Sequence, residues 1–451
     1  MNYQSIPLIG SALLLSTLSA NGQKKNTQPN ILFILCDDMG YGDLSCYGNP
    51  TIRTPNIDRM ACEGMKLTQF YVGAGVSTPS RAALMTGRLP VRNGLYGDRV
   101  AVLFPNSKAG LGQDEVTIAK VLQQNGYATG CVGKWHLGAF SPYLPTDHGF
   151  DTYFGIPYSN DMSPVQNKGA HARNFPPTPL ILDGKEIESE PDQGELTRRY
   201  TEKAVSFIKD HSKEPFFLYF AHTFPHIPLY TNARFEGTSK RGLYGDVVEE
   251  IDWSVGEVLK TLRENGLDEN TFVIFTSDNG PHHEGGADPD FFKSYGPFRG
   301  IKRDVYEGGI RIPMVAWCPG TIKAGAQSDH ISAFWDVMPT LAELTGTVLP
   351  EQTDGISFLP TLLSKKNQQA HDYLYWEFHE LNGREALRSG KWKLIRQPIV
   401  GETILELYDL SNDIHEDTNL AEKYPDKVKE LVSLMDNART ESPYFNFGRE
   451  K

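Results

Sequence analysis

Three apolar runs of strand length, at 30–35, 216–221 and 271–276, each give way to polar residues, with helical patterns between them. Strands this uniformly apolar are buried on both faces, which calls for a parallel sheet covered by helices on either side. Helical periodicity falls at 55–63, 115–125, 195–211 and 245–265; the first opens with Thr54-Pro55, and several close at a glycine such as Gly64, Gly126 or Gly266. This alternation predicts a doubly wound sheet, in which ligands gather beyond the carboxyl ends of the strands. Asp37-Asp38 and Asp278-Asn279 occupy that position after two of the three runs. From about Gly355 the pattern changes to two alternating segments around turns, 385–396 and 402–410, and then a charged helix near 426–439. The expected architecture is α/β: a large mixed, mostly parallel sheet sandwiched by helices over 27–350, then a C-terminal domain over 351–451 with an antiparallel sheet and one helix.

The 451 residues carry 44 Lys and Arg against 56 Asp and Glu, a net charge of −12. That excludes a nucleic acid or an anionic lipid surface as the main partner. If the substrate is an anion, positive charge must be concentrated locally. Residues 6–18 are nearly all apolar or small, and Ser19, Ala20 and Gly22 follow before Lys24 and Lys25, as in a secretory signal over 1–22. Positions 1–4 carry no Lys or Arg, so the n-region is weak. The apolar stretch is shorter than the roughly 18 residues of a membrane span, and no other run of this kind follows. Five cysteines (Cys36, Cys46, Cys62, Cys131, Cys318) include no CxxC pair and are too scattered for a disulfide framework. Their surroundings predict buried packing for all five. An exported chain without obvious bridges suits a bacterial periplasm or secretion.

Asp37, Asp38, Asp278 and Asn279 present four oxygen donors at strand ends. Such a set suits a hard divalent cation, calcium ahead of magnesium, whereas zinc would call for His or Cys. Either motif alone also reads as an ordinary turn. In the segment from Gly75 to Arg88, Pro79 fits a first helical position and Ser77 falls just before the turn. An anion there would face exposed helix amides, although Ser77 and Ser80 also read as simple capping hydroxyls.

Ser77-Thr78-Pro79-Ser80-Arg81 with Thr86-Gly87-Arg88 resembles the signature of type I sulfatases of the alkaline phosphatase superfamily, in its serine form. The resemblance covers most of the chain. It takes in Cys36-Asp37-Asp38-Met39-Gly40-Tyr41-Gly42-Asp43, Thr54-Pro55-Asn56-Ile57-Asp58-Arg59 and Gly133-Lys134-Trp135-His136-Leu137-Gly138. It continues through Pro225-His226, Ser277-Asp278-Asn279-Gly280, and Lys302 followed by Tyr306-Glu307-Gly308-Gly309 and Arg311. The wording is similar to arylsulfatase A and N-acetylgalactosamine-6-sulfatase types.

The resemblance implies that Ser77 is oxidised to formylglycine, whose hydrated gem-diol supplies the nucleophilic oxygen. Attack on sulfur gives a covalent sulfate ester; the second hydroxyl then collapses to the aldehyde and expels sulfate, an exit that a serine ester lacks. The serine form implies a radical-type maturation enzyme. Carried over by position, Asp37, Asp38, Ser77, Asp278 and Asn279 form the calcium shell and Arg81 orients the formylglycine. Lys134 and Lys302 contact sulfate, His136 assists collapse of the diol, and His226 is the general acid. His222 and His283 are left outside catalysis, with His222 a possible support for His226.

The polar, turn-rich insert 281–290 leading to Arg299 is expected to overhang the pocket, with His282, His283, Asp288, Asp290 and Arg299 as sugar-binding candidates. Residues 168–179 are a second candidate rim. The expected substrate is an O-sulfated carbohydrate, first a galactose or N-acetylgalactosamine 4- or 6-sulfate. Two rivals stand beside it: a phosphate or phosphonate ester hydrolase of the same superfamily, and a sulfoglycan-binding protein that lacks formylglycine.

Overall fold

The computed structural model describes residues 28–95, 101–168 and 173–440, so the secretory signal expected over 1–22 lies outside the described residues. Among the described residues the main sheet has eleven strands, numbered in chain order. These are β1 (Asn30–Cys36), β2 (Met65–Tyr71), β3 (Ala128–Gly133), β4 (Thr152–Gly155), β5 (Pro179–Leu182) and β6 (Lys185–Ser189). Then follow β7 (Phe216–Ala221), β8 (Thr271–Ser277), β9 (Arg311–Trp317), β10 (Ala326–Ser328) and β11 (Ser332–Ala333). Their spatial order is β10-β2-β9-β8-β1-β7-β3-β4-β5-β6, with β11 beside β2. The centre is parallel: β1 pairs with both β7 and β8, and β3 with β7. β9 runs antiparallel to its neighbours β2 and β8, which makes the sheet mixed.

The central strands are apolar throughout because both faces are covered. Ile31, Phe33 and Leu35 point into a core shared with Leu84, Leu122 and Leu341 from helices Ser77–Thr86, Ile118–Gln124 and Val337–Thr345. The alternate residues Leu32 and Ile34 point into a second core with Met60, Tyr200 and Val255 from helices Pro55–Glu63, Leu196–Asp210 and Gly242–Glu264. Period-two alternation therefore feeds two helical layers, as the doubly wound expectation requires. Observed helix bounds shift by up to three residues from the sequence reading, at 118–124 rather than 115–125 and at 242–264 rather than 245–265. Thr117, for one, is spent as a cap, its side chain accepting from Lys120 N.

The C-terminal antiparallel sheet has four strands, β12 (Leu374–Phe378), β13 (Arg384–Ser389), β14 (Trp392–Gln397) and β15 (Ile404–Asp409). The segment read as one stretch at 385–396 is a hairpin of two strands, turning at Gly390 with φ 55°, and β12 went unnoticed. One face of this sheet carries Tyr375, Leu387, Leu394 and Leu407 against Leu431 and Met435 of helix Pro425–Ala438. The other carries Trp376, Ala386 and Ile395 into the core of the large sheet. The two sheets are thus welded through a common apolar layer.

All five cysteines are free, but only Cys36, Cys131 and Cys318 are buried. Cys62 is exposed and Cys46 half-buried, which corrects the expectation that all five are packed inside. Cys62 sits in the last turn of helix Pro55–Glu63, on the face away from Ile57, Met60 and Ala61. No helix among the described residues is long and apolar enough to cross a membrane.

Gly133 ends β3 at φ 108°, and a Cβ there would stand 1.7 Å from the backbone oxygen of Ala221. No flexible side chain can yield at that contact, and the residue that follows is Lys134. Gly133→Ala is therefore expected to lower stability by about 4 kcal/mol or more, seen in urea unfolding as a midpoint far below that of the parent or as loss of soluble protein.

Candidate active site

Parallel register assembles the site. Cys36 of β1 is opposite Ser277 of β8, so Asp37 and Asp278 emerge side by side from neighbouring strand ends. Gly133 of β3 is opposite Ala221 of β7, which brings Lys134 to the same rim. Asp37, Asp38, Asp278 and Asn279 are at most 2% exposed. Asp38 has φ 64° and its backbone N donates to Asp278 Oδ1 at 3.1 Å. Its neighbour's N, Met39, donates to Ser277 Oγ at 2.8 Å. The left-handed backbone at Asp38 turns two consecutive carboxylates inward, where an extended chain would split them between the faces.

Three sequence-distant cations answer this negative charge. The Arg81 guanidinium, fully buried, donates from Nε to Asp278 Oδ2 at 2.8 Å and from Nη1 to Lys134 O at 2.9 Å, with Nη2 3.7 Å from Asp37 Oδ1. Lys134 Nζ bonds Asp37 Oδ2 and lies 3.4 Å from Ser77 Oγ. Lys302 Nζ donates to Asp38 Oδ2 at 2.8 Å. Ser77 Oγ itself donates to Asp37 Oδ1 at 3.1 Å. Ser77, Arg81, Lys134 and Lys302 therefore converge on one carboxylate cluster.

The ionisation pattern follows from burial and neighbours. Burial pushes the Asp38 carboxyl up, but Lys302, His226 and His282 outweigh it and hold it below the usual carboxylate range. Burial and the adjacent Asp37 push the Asp278 carboxyl above that range. Burial brings the Lys134 ammonium down. Burial and Lys302 bring the His226 imidazole down to about 4, while burial and Lys134 hold His136 well below its ordinary value. Both rings are thus neutral before anything binds.

Ser77 is the first residue of helix Ser77–Thr86, and Val76 occupies the cap position. Pro79 is therefore the third helical residue rather than the first, and Ser77 stands inside the first turn rather than before it. Such a place is compatible with proline because the first helical amides have no intrahelical acceptor. His136 has φ 64°; its carbonyl accepts from Thr78 Oγ1 at 3.0 Å, and its Nε2 pairs with Leu103 O at 3.0 Å. His226 Nδ1 pairs with Ile227 O at 2.5 Å, leaving Nε2 3.5 Å from Asp38 Oδ2. Ser159 Oγ, 3.4 Å from the His226 ring, was not singled out in the sequence; a lone serine in a loop carries no signal. Asp43 is likewise buried, its carboxyl raised to about 6 by burial. It accepts from Gly40 N at 2.7 Å, Tyr244 Oη at 2.7 Å and Ser294 Oγ at 2.6 Å, binding the Asp38 turn to the following insert.

The other candidates divide. His282 stacks on His226 with ring centroids 6.2 Å apart and receives Arg303 Nη1 at 3.3 Å. His283, Asp288 and Asp290 form an exposed group of their own. There Asp288 caps a short helix through Asp290 N and Phe291 N, and Asp290 accepts from Tyr295 Oη. Arg299 lies over the Tyr306 ring at 4.1 Å and donates to Glu416 O at 2.8 Å. Of the segment 168–179, residues 169–172 lie outside the described residues; Phe175 packs with Tyr158 and Met162, and Arg173 covers the Phe104 ring at 4.0 Å. His222 is buried against Phe220 rather than bonded to His226.

The donor set fits a divalent cation. Asn279 Oδ1 is buried without a donor among the described residues, while Asn279 Nδ2 is held by Asp38 Oδ1 at 2.7 Å. Asp37, Asp38 and His226 bring ligand atoms within 4.8 Å of one another. An orphaned amide oxygen beside crowded carboxylates is what a hard cation would satisfy.

The sulfatase family model matches residues 29–347, and the C-terminal model of N-sulphoglucosamine sulphohydrolase matches 296–441. Arylsulfatase A of Bos taurus is 38% identical over 92% of this chain and 88% of its own. N-acetylgalactosamine-6-sulfatase of Mus musculus is 41% identical over 78% of this chain and 69% of its own. A solved structure concerned with glycosaminoglycan metabolism by Bacteroides thetaiotaomicron superposes with a TM-score of 0.80 at 32% identity, covering 92% of this chain and all, 100%, of that one.

Arg81 is the only guanidinium bonded to Asp278 among the described residues, and it is sealed from water. Removing its charge leaves the carboxylates without it in a dry site. In chelator-treated protein Arg81→Met is expected to cost about 3–5 kcal/mol of unfolding free energy, measured by urea titration.

Proposed function

The chain belongs to the sulfatase family, and we propose that it is an exported enzyme hydrolysing O-sulfate monoesters of carbohydrates, first a galactose or N-acetylgalactosamine 4- or 6-sulfate. The observation that carries the reading is the convergence of Ser77, Arg81, Lys134 and Lys302 on buried strand-end carboxylates, which concentrates positive charge inside a chain of net charge −12. Sulfated carbohydrate as substrate draws support from the names of the relatives. The export signal over 1–22, a periplasmic or secreted location, and the division at residue 350 are parts of the same proposal.

Asp37, Asp38, Asp278 and the Asn279 oxygen, with the oxygen on Ser77, would hold the calcium ion. When bound, that ion supplies Lewis-acid polarisation of a sulfate oxygen. Oxidation of Ser77 to formylglycine by a radical-type maturation enzyme supplies the hydrated aldehyde that serves as nucleophile.

The remaining chemistry belongs to the side chains. Arg81 holds Asp278 and bridges toward Asp37, so the carboxylates keep their orientation while the ester enters. Lys134, beside both Ser77 and Asp37, directs an ammonium at the nucleophilic oxygen and at one sulfate oxygen. Lys302 does the same from the Asp38 side. These preorganised cations stabilise charge where it builds on the sulfuryl oxygens. His226 donates from Nδ1 to Ile227 O, so its Nε2 is the nitrogen turned toward Asp38 and the ester; protonated there when the anionic ester enters, it would pass that proton to the departing alkoxide. His136 Nδ1 has no partner among the described residues and can take the proton when the sulfated intermediate breaks down. His282, stacked on His226, is the insert residue best placed to touch the sugar; His283, Asp288, Asp290 and Arg299 are proposed as its outer contacts.

The test is release of inorganic sulfate by matured protein from a panel of regiospecifically sulfated sugars, alongside matched aryl sulfate and aryl phosphate esters. A preference for phosphate would transfer the reading to the phosphate-ester rival; no turnover of any ester would leave only a binding protein. In active material the peptide containing Ser77 should be lighter by about 2 Da than the encoded one, since oxidation to the aldehyde removes two hydrogens. His226→Ala should lower kcat on sugar sulfates by about 10²- to 10⁴-fold, with a smaller loss on aryl sulfates whose leaving group needs no proton.

A further inference from the structure

The C-terminal sheet reaches the site through a sealed group of charges. Glu307 opens the short helix Glu307–Ile310 and is 0% exposed. Its carboxylate accepts from Tyr71 Oη at 2.6 Å, Arg311 Nη1 at 3.2 Å and Lys393 Nζ at 2.9 Å. Lys393, on β14 and also 0% exposed, pairs with Glu416 Oε1 at 2.9 Å. The other oxygen of Glu416 accepts the backbone N of Glu307 at 2.7 Å. Arg388 of β13 lies 4.0 Å from the Glu307 carboxylate. Glu416 holds φ 60°, a left-handed backbone that its surroundings must impose.

Two carboxylates and three cations buried together face a desolvation cost that an apolar cluster of equal volume would not, so what they add is orientation. The segment they orient adjoins the site on two sides. Gly280, directly after Asn279, donates its N to Gly309 O at 3.0 Å, and a Cβ on Gly280 would stand 2.1 Å from Gly308 O. Gly308 N donates to Arg299 O at 2.7 Å, and Lys302 N to Pro281 O at 2.9 Å. Arg303 N donates to the oxygen of Gly75, two residues before Ser77, at 2.9 Å, and Arg384 of β13 donates to Arg303 O at 3.1 Å. Any shift of helix Glu307–Ile310 therefore moves Asn279 and Lys302 together.

We propose that Lys393 and Glu416 are positioning residues: by clamping Glu307 from β14 and from the loop after β15 they set the placement of Asn279 and Lys302, and so calcium affinity and turnover. The proposal rests on the reading of the site given above. It is tested on full-length matured protein with Lys393→Met, Lys393→Arg and the near-isosteric Glu416→Gln. The measurements are kcat and KM on an aryl sulfate at saturating calcium, calcium affinity by calorimetry, and Tm. Lys393→Met and Glu416→Gln should each weaken calcium binding by about tenfold or more and lower kcat more than they raise KM, while Lys393→Arg recovers most of both. Variants with lowered Tm but calcium affinity and kcat within about twofold of the parent would overturn the proposal, since a merely structural tie would behave that way. If Lys393→Met does not fold, Glu416→Gln alone decides. If the aldehyde-bearing parent binds calcium but releases no sulfate, the functional reading fails instead, and the calorimetry still judges the clamp.

Discussion

Three carboxylates pressed together at the ends of two hydrogen-bonded parallel strands are the constraint on which the rest of the site depends. Asp37, Asp38 and Asp278 sit in a dry interior where like charges repel far more strongly than in water. Adjacent strands fix their separation, so relief must come from cations brought in by other elements. Arg81 arrives from a helix, Lys134 from the end of β3, and Lys302 from the loop before β9. The result is a buried cluster in which three carboxylates are matched by three cations.

The same constraint explains where the backbone is forced. Asp38, His136 and Arg303 all hold positive φ, at 64°, 64° and 77°, and all three flank the cluster. Each directs a neighbouring group toward the cluster against its own conformational preference, and each is held by packing or hydrogen bonds from another segment. Strain of this kind persists only in a rigid surround. The rigid surround here is the central parallel sheet with its two apolar layers, extended by the C-terminal sheet through Trp376 and Ile395.

Much of this was legible in the sequence because its signals are local. The uniformly apolar strands announced the parallel sheet, and Phe216–Ala221 matched its expected bounds. The strand-end pairs Asp37-Asp38 and Asp278-Asn279 announced the cluster, since strand ends are where an α/β sheet exposes its ligand groups. Turn geometry was less accessible: Ser77 proved to be the first residue of its helix and Pro79 the third, because the cap fell to Val76, a residue without a capping side chain. In the C-terminal sheet β12 was missed, as its Leu-Tyr-Trp-Glu-Phe run lacks alternation when both faces are buried. Long-range partners were invisible for a different reason. Ser159 beside His226, and Lys393 beneath Glu307, carry no pattern of their own and acquire meaning only from the fold.

The central claim is that crowded carboxylates and an orphaned Asn279 oxygen form a seat for a divalent cation. Its most direct test is the thermal midpoint of the chelator-treated protein as calcium is restored. The account predicts a midpoint that climbs with calcium concentration, by about 2.7 kcal/mol of stabilisation at a hundredfold excess over Kd, and a climb abolished in Asp38→Asn. A midpoint indifferent to calcium and magnesium alike, or an equal climb in that variant, would contradict it.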